Sequence, residues 1–447
     1  MNTCCTFTRP AAWAAALSVL TGLGSTAPGW GAPKPQAGRV AKVEVRKTGD
    51  AYQLFVDNQP FYIKGAGLEF GSQEKLMEHG GNSFRTWRTE NGQASGKAVL
   101  DRALKNGLYV TMGLEIARER HGFDYNDPVA VARQLAEVKK EVLKYKDHPA
   151  MLLWGIGNEL NLNARNPKVW DAVNEISRMI HQIDPNHPTM TMLAGIGPDL
   201  VRQIKQRAGD LDLIGVQMYA DIINLPRYLR ESGWTGPYIV TEWGATGHWE
   251  VGKTAWGAPI ENDSTAKADL YLKRFEAVIK PDKKQCLGSY VFLWGQKQER
   301  TPTWYGVFLE SGEETAAVDV MHYIWNGAWP AHRSPRLEGV WLDGKTAQQS
   351  VRLKPGQAYP VKVAARGQDN DPLAYSWEVM EESTDLKTGG DLENKPKTLR
   401  GLIEDPRKSQ STLKAPAQPG AYRLFIYALD GRGHAAHANI PFYVDKP

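Results

Sequence analysis

The sequence predicts an eight-stranded (β/α)8 barrel followed by an immunoglobulin-like β-sandwich. Short, apolar runs alternate with amphipathic stretches eight times, over about 270 residues, which matches the size of such a barrel. Runs without a polar face are typical of strands that are buried on both sides in a parallel sheet. Beyond a proline-containing linker at 329–335, only strand-like runs and turn clusters follow, which indicates a sandwich.

The predicted barrel strands share short length and apolar, β-branched or aromatic residues. They are Tyr62–Gly65, Ser83–Trp87, Tyr109–Leu114, Leu152–Ile156, Thr189–Leu193, Leu213–Met218, Tyr238–Thr241 and Ser289–Leu293. Amphipathic periodicity predicts helices at Pro128–Tyr145, Trp170–Ile183 and Ala266–Ile279. A doubly wound open sheet is the alternative fold. No G-x-G-x-x-G turn follows the first strand, which argues against dinucleotide binding.

The flanking segments complete four predicted regions. A β-hairpin, Val43–Arg46 with Tyr52–Val56, leads into the barrel. The predicted sandwich strands are Ser350–Leu353, Tyr359–Ala364, Leu373–Val379, Gly420–Leu429 and Ile440–Val444. The regions are a signal peptide at 1–32, the hairpin at 33–60, the barrel at 61–330 and the sandwich at 335–447.

Composition excludes several classes of protein. The 447 residues include 42% apolar and 23% charged residues, which is ordinary for globular domains and excludes wholesale disorder and coiled coil. The net charge of +4 is slight and dispersed, so the chain does not resemble a nucleic-acid binder. The 15 tryptophans suit a protein that stacks sugar rings, although indoles also fill ordinary cores.

The first residues have the layout of a secretory signal. Arg9 precedes an apolar stretch from Ala11 to Leu23, and small residues follow. We expect a periplasmic or secreted protein; an uncleaved, disordered N-terminus is the alternative. No later run reaches 18 apolar residues, so no membrane span is predicted. The mature chain would keep Cys286 alone, which excludes an intramolecular disulfide and a cysteine-based metal cluster.

Two glutamates follow directly after apolar strands. Glu159 ends the fourth predicted strand and Glu242 ends the seventh. The carboxyl ends of barrel strands form the open mouth, where functional residues collect. Two carboxyl groups facing each other across this mouth are what glycoside hydrolysis requires: one donates a proton to the departing oxygen, and the other attacks or stabilises the anomeric carbon. The alternative for either residue is a helix cap or an ion pair with arginine.

The two motifs resemble those of a known group of enzymes. The run LLWGIGNE at 152–159 and the run IVTEWGA at 239–245 resemble the retaining glycosidases of the large (β/α)8 clan. The similarity covers roughly residues 42–328 and is greatest to the catalytic domain of glycoside hydrolase family 2. The resemblance implies that Glu159 is the general acid/base and Glu242 the nucleophile.

The same resemblance implies roles for four further residues. Asn158 would hydrogen-bond the sugar 2-hydroxyl, and Arg85 would lie beside the nucleophile. Tyr219 would orient the nucleophile, and Trp294 would form the aromatic floor of the −1 subsite. A buried salt bridge is the alternative for Arg85, and packing at the mouth is the alternative for Tyr219 and Trp294.

The predicted protein is therefore an exported retaining glycoside hydrolase that acts on a β-linked oligo- or polysaccharide by double displacement. A transglycosylase with the same catalytic pair and a non-catalytic carbohydrate-binding protein are the alternatives. No cofactor, metal or nucleic acid is predicted, and no protein partner is indicated. The aromatic loops after the seventh and eighth strands build either outer sugar subsites or a wall against the sandwich. The sandwich itself either binds polysaccharide or braces the barrel.

Overall fold

The computed structural model describes residues 32–368 and 371–447. Residues 1–31 of the predicted signal peptide, 1–32, lie outside the described part of the chain. Within the described part, no helix combines the length and the apolar character that crossing a bilayer requires.

A small antiparallel sheet precedes the barrel. Its strands are β1 (Val43–Thr48), β2 (Ala51–Val56) and β3 (Gln59–Phe61), paired in that order. The first two form the predicted hairpin. The third strand is too short to stand out in the sequence. The buried residues of this sheet pack against residues near the starts of the barrel strands, so the sheet covers the amino-terminal end of the barrel.

Eight parallel strands form a closed barrel, which confirms the predicted fold class. They are β4 (Ile63–Gly67), β5 (Ser83–Arg85), β6 (Tyr109–Leu114), β7 (Met151–Asn158), β8 (Thr189–Ala194), β9 (Leu213–Gln217), β10 (Tyr238–Glu242) and β11 (Cys286–Val291). Each strand overlaps its predicted counterpart, and β11 pairs with β4 to close the barrel. Nearly all their residues are buried, as apolar runs with no polar face require.

One helix follows each barrel strand. These are α1 (Gln73–Glu78), α2 (Gly96–Lys105), α3 (Pro128–Tyr145), α4 (Lys168–Ile183), α5 (Pro198–Arg207), α6 (Leu225–Ser232), α7 (Ser264–Arg274) and α8 (Ala316–Asn326). Helix α3 has its predicted bounds because Asp127 caps its first turn and Pro128 occupies the first helical position. The helix predicted at Ala266–Ile279 begins earlier, and its last turn, Phe275–Ile279, is π-helical.

Seven strands in the described part of the chain form the C-terminal sandwich. They are β12 (Arg336–Leu342), β13 (Val351–Leu353), β14 (Ala358–Arg366), β15 (Ala374–Glu381), β16 (Gln410–Lys414), β17 (Gly420–Leu429) and β18 (Ala435–Val444). One sheet has the order β12-β14-β16 and the other β13-β18-β17-β15. Strands β12 and β16 were not predicted from the sequence. Both are edge strands; β16 buries only Leu413, so its apolar pattern is weak.

A buried carboxylate joins the barrel to the sandwich. Glu261, in the loop between β10 and α7, accepts hydrogen bonds from Lys267 Nζ (2.5 Å), Thr301 Oγ1 (2.6 Å) and Thr303 Oγ1 (2.9 Å). A fourth bond comes from Asn439 Nδ2 on β18, at 2.6 Å. Burial alone would raise the pKa of Glu261, but the charge and hydrogen bond of Lys267 hold that pKa at about 2.

Replacing this carboxylate should weaken the fold. Glu261→Gln leaves the buried Lys267 ammonium without a counter-charge, so we expect the free energy of unfolding to fall by about 3 kcal/mol in urea denaturation at pH 7. The folded-state pKa lies below the usual 4.5, so this stabilisation is present above pH 4.5. The stabilisation is lost as the pH falls from 4.5 towards 2, so the difference in the free energy of unfolding between wild type and variant should shrink over that range.

The matched control is Glu276→Gln, which removes an exposed ion pair with Lys280 in the turn that follows α7. That variant should leave the urea curve unchanged, because exposed pairs contribute little. Equal losses in the two variants would contradict the role given to Glu261.

Candidate active site

The carboxyl ends of the barrel strands surround a cavity of about 1210 Å³. Glu159 and Glu242 both line it, as do Asn158, Tyr219 and Trp294. The barrel therefore brings the two predicted catalytic glutamates to one cavity, although 82 residues separate them in sequence and two strands, β8 and β9, lie between the strands that carry them. Arg85 lies directly beneath, with its side chain fully buried.

The chain reaches Glu159 through a left-handed turn at the end of β7. Gly157 has φ +73° and Glu159 has φ +51°. A Cβ on residue 157 would lie 2.6 Å from Leu160 Cδ1, so this position requires glycine. The Glu159 amide donates to the Met192 carbonyl at 2.9 Å, and its carbonyl accepts from Arg120 Nη1 at 3.1 Å. These bonds hold a non-glycine residue in a conformation that costs of order 1 kcal/mol or more.

Four donors converge on the carboxylate of Glu242. Its Oε1 accepts from Arg85 Nη1 (3.1 Å), Trp87 Nε1 (3.0 Å) and Gln217 Nε2 (3.0 Å). Its Oε2 accepts from the Tyr219 hydroxyl at 2.8 Å. Both oxygens act only as acceptors, which suits a carboxylate and not a carboxylic acid. The side chain is thereby held in one orientation at the cavity.

Asn158 belongs to the same network. Its Oδ1 accepts from Arg85 Nη2 at 2.7 Å and from Gln217 Nε2 at 2.8 Å. Because Oδ1 is occupied by these donors, the amide has its Nδ2 hydrogens left to offer a ligand in the cavity. Arg85 therefore links the end of β7, which leads to Glu159, to the end of β10, which carries Glu242.

Glu159 has a contrasting environment. Burial raises its pKa, and the negative charge of Glu242 raises it further, against the opposing charges of Arg120, Arg85 and Arg118; the resulting pKa is about 8. The side chain is thus protonated at neutral pH. Burial and Glu242 also raise the pKa of Tyr219 well above its usual range, so its hydroxyl stays a donor. One mouth therefore holds a carboxylic acid and a carboxylate.

Trp294, the predicted aromatic floor of the −1 subsite, borders the cavity but is buried. Its indole packs against Phe308 and Trp325, with Nε1 donating to the Ser72 carbonyl at 3.1 Å. Phe292 lies closer to the catalytic network, since its ring contacts those of Trp87 and Tyr219. The sugar-stacking role of Trp294 stays a prediction.

Several residues of the network were not singled out by sequence reasoning. Trp87 and Gln217 lie in strand ends that carry predicted site residues, two positions from Arg85 and Tyr219 respectively. Their contacts with Glu242 depend on closure of the barrel. Arg118 and Arg120 lie in the loop after β6, where Arg118 Nε donates to the Asn158 carbonyl at 3.3 Å. No spacing in the sequence marks this loop.

One group of described residues outside the mouth has side chains that could hold a metal ion. His332, Asp430 and His434 offer ligand atoms within 4.8 Å of one another. Asp430 Oδ2 contacts His332 Nε2 at 2.7 Å and His434 Nδ1 at 3.1 Å, so hydrogen bonds already join the three. No motif in the sequence marks this group, because 98 residues separate His332 from Asp430.

Comparison with known proteins places the fold among glycosidases of known structure. A β-D-glucuronidase from Dictyoglomus thermophilum superposes with a TM-score of 0.50 at 18% identity, over 64% of this chain and 54% of that one. The β-glucuronidase of Bifidobacterium dentium gives 0.50 at 17%, over 64% and 49%. A calcium-binding mutant of β-glucuronidase 2 from Bacteroides uniformis gives 0.51 at 11%, over 90% and 48%.

These similarities concern the fold. The chain spans about half the length of the structures it matches. No protein-family model matches the sequence, and no curated protein matches it either. The predicted resemblance is confirmed at the level of the fold: the chain has a (β/α)8 barrel that superposes on β-glucuronidase structures, followed by a β-sandwich.

Proposed function

We propose that this protein is a retaining glycoside hydrolase that cleaves a β-linked oligo- or polysaccharide by double displacement. One observation carries the proposal: a carboxylate with four donors and a carboxyl group with a pKa of about 8 line the same barrel mouth. The shared fold with structures titled β-glucuronidase supports it. The signal-like segment at 1–32 supports export, to the periplasm or the medium.

In the first step, a carboxylate oxygen of Glu242 attacks the anomeric carbon of the bound sugar. The bond from that carbon to the glycosidic oxygen breaks, and an ester bond to Glu242 forms. Glu159 transfers its proton to the departing oxygen, so the leaving group departs as a neutral alcohol. The pKa of about 8 keeps that proton on Glu159 at neutral pH.

In the second step, water replaces the leaving group. Glu159, now a carboxylate, takes a proton from this water as the oxygen attacks the anomeric carbon, and the ester bond breaks. The esterified Glu242 carries no charge, so the repulsion that raised the pKa of Glu159 is absent while Glu159 acts as base. Release of the sugar restores both starting protonation states.

The surrounding residues position these two groups. Arg85, Trp87, Gln217 and Tyr219 hold Glu242 in place by the hydrogen bonds given above, and Arg85 also balances its charge. The Asn158 Nδ2 hydrogens are available for a sugar hydroxyl at the −1 subsite. No metal or cofactor enters either step.

A glycan transglycosylase is the second candidate. Its first step is identical, and a sugar hydroxyl then takes the place of water. The cavity volume of about 1210 Å³ exceeds the space that a single pyranose fills, so an acceptor sugar has room beside the bound one. Addition of an acceptor sugar separates the two functions through the products formed.

The covalent intermediate provides the test of the proposal. Incubation with a panel of 2-deoxy-2-fluoro glycosides, followed by intact-protein mass spectrometry, should add one glycosyl unit to the wild type. The Glu242→Gln variant should stay unlabelled, because it lacks the nucleophile. The labelling sugar identifies the −1 subsite. Labelling of the variant to the same extent, or of neither protein by any sugar, would contradict the proposal.

The Trp87 hydrogen bond gives a finer prediction. Trp87→Phe keeps an aromatic ring but removes the N–H that donates to Glu242, a bond to a charged group worth about 1.5–3 kcal/mol. We expect kcat/KM for an aryl glycoside of the labelling sugar to fall about 10- to 100-fold. Trp249→Phe is the matched control: Trp249 lines the same cavity, more than half exposed, and should change kcat/KM less than threefold. Equal losses of kcat/KM in the two variants would contradict a specific role for the Trp87 N–H in holding Glu242.

A further inference from the structure

The connection between β15 and β16 of the sandwich reaches the barrel mouth. Residues 387–392 of this connection line the same cavity as Glu159 and Glu242. We call residues 385–393 the mouth segment. A brace between two domains needs no such access to the cavity, so the segment calls for a role there.

An arginine of the barrel anchors one end of the mouth segment. The backbone N–H of Arg300 donates to Glu393 Oε2 at 2.6 Å, and its guanidinium pairs with Oε1 of the same carboxylate, whose side chain is fully buried. The Lys387 amide also donates to Glu393 Oε1, at 3.0 Å. Nη2 of Arg300 donates to the Lys387 carbonyl at 3.0 Å. Such a buried, multiply bonded pair holds the segment in one position.

The same arginine continues into the catalytic network. Its Nη2 lies 3.0 Å from His248 Nε2, and since a guanidinium only donates, Nε2 is the acceptor and Nδ1 carries the proton. That Nδ1 lies 2.9 Å from the Tyr305 hydroxyl. Burial and the charge of Arg300 lower the pKa of His248 to about 4, in keeping with a neutral imidazole. The Tyr305 ring contacts that of Tyr219.

The other side of the mouth segment contacts the surroundings of Glu159. Asp391 Oδ2 lies 3.0 Å from His121 Nε2, and Asp391 Oδ1 lies 4.0 Å from Arg120 Nη2. Arg120 in turn donates to the Glu159 carbonyl. Gly389 packs here so closely that a Cβ would lie 2.8 Å from Arg120 Nη2, and its φ of +66° also favours glycine.

This placement determines which part of a glycan the segment faces. The general acid protonates the glycosidic oxygen, so it stands at the boundary between the sugar that becomes attached and the group that departs. A wall beside Glu159 therefore borders the departing group. Leu392 lines the cavity on this wall with 84% of its surface exposed, and an apolar side chain suits the C–H face of a pyranose.

We propose that the mouth segment of the sandwich forms the leaving-group subsite of the cleft, with Leu392 as the contact for the departing sugar. This inference rests on the proposed function. It gives the sandwich a part in substrate recognition inside the catalytic cleft.

The test compares two substrates of the sugar that labels Glu242. Its β-glycosyl fluoride has a leaving group too small to fill the subsite, whereas its 4-methylumbelliferyl β-glycoside places a ring there. Leu392→Asp should lower kcat/KM for the umbelliferyl glycoside about tenfold and leave the fluoride unchanged. Leu386→Asp is the matched control, since Leu386 is also exposed on the mouth segment but does not line the cavity; neither rate should change.

Three outcomes would overturn the inference. An equal loss on both substrates would show a general effect on the site, and no loss on either would show that Leu392 makes no contact. Loss in Leu386→Asp equal to that in Leu392→Asp would assign the effect to the segment's charge alone. If no fluoro sugar labels Glu242, the proposed function fails first, and the inference with it; labelling with any of the three outcomes removes the inference alone.

Discussion

Two carboxyl groups buried at one end of a closed barrel form the constraint on which the site depends. Both groups line one cavity, and both cannot be charged there without strong repulsion. Four side chains donate hydrogen bonds to the Glu242 carboxylate and stabilise its charge, while burial and the charge of Glu242 keep the proton on Glu159. The opposite protonation states of acid and nucleophile thus follow from where three strand ends, β5, β9 and β10, place their side chains.

The sandwich shares in this arrangement. It is tied to the barrel by the buried Glu261 carboxylate at the side and by the Arg300–Glu393 pair at the mouth. The second tie runs from the sandwich through His248 and Tyr305 towards Tyr219, one of the donors to Glu242. Sandwich and catalytic network are therefore joined by continuous side-chain contacts, and the cavity wall is made from both domains.

Much of this could be predicted from the sequence, and the rest could not for identifiable reasons. Strands buried on both faces of a parallel sheet have continuous apolar sequences, so β4–β11 could be predicted, and with them Glu159 and Glu242 at two strand ends. The polar edge strand β16 gives no such signal. Trp87 meets Glu242 across 155 residues, a contact that only barrel closure creates. The mouth segment is a loop without periodicity, and its position depends on how the domains pack.

The most direct test of the account is a titration of Glu159 before and after Glu242 is trapped as its fluoroglycosyl ester. Carbon-13 NMR of protein labelled at the glutamate carboxyl carbons, with Glu159→Gln to assign the resonance, measures the pKa in both states. We predict a pKa of about 8 for Glu159 in the free protein and a lower pKa in the trapped one, because the ester removes the charge of Glu242 while the burial of Glu159 remains. An ordinary pKa in the free protein, or the same raised pKa after trapping, would contradict it.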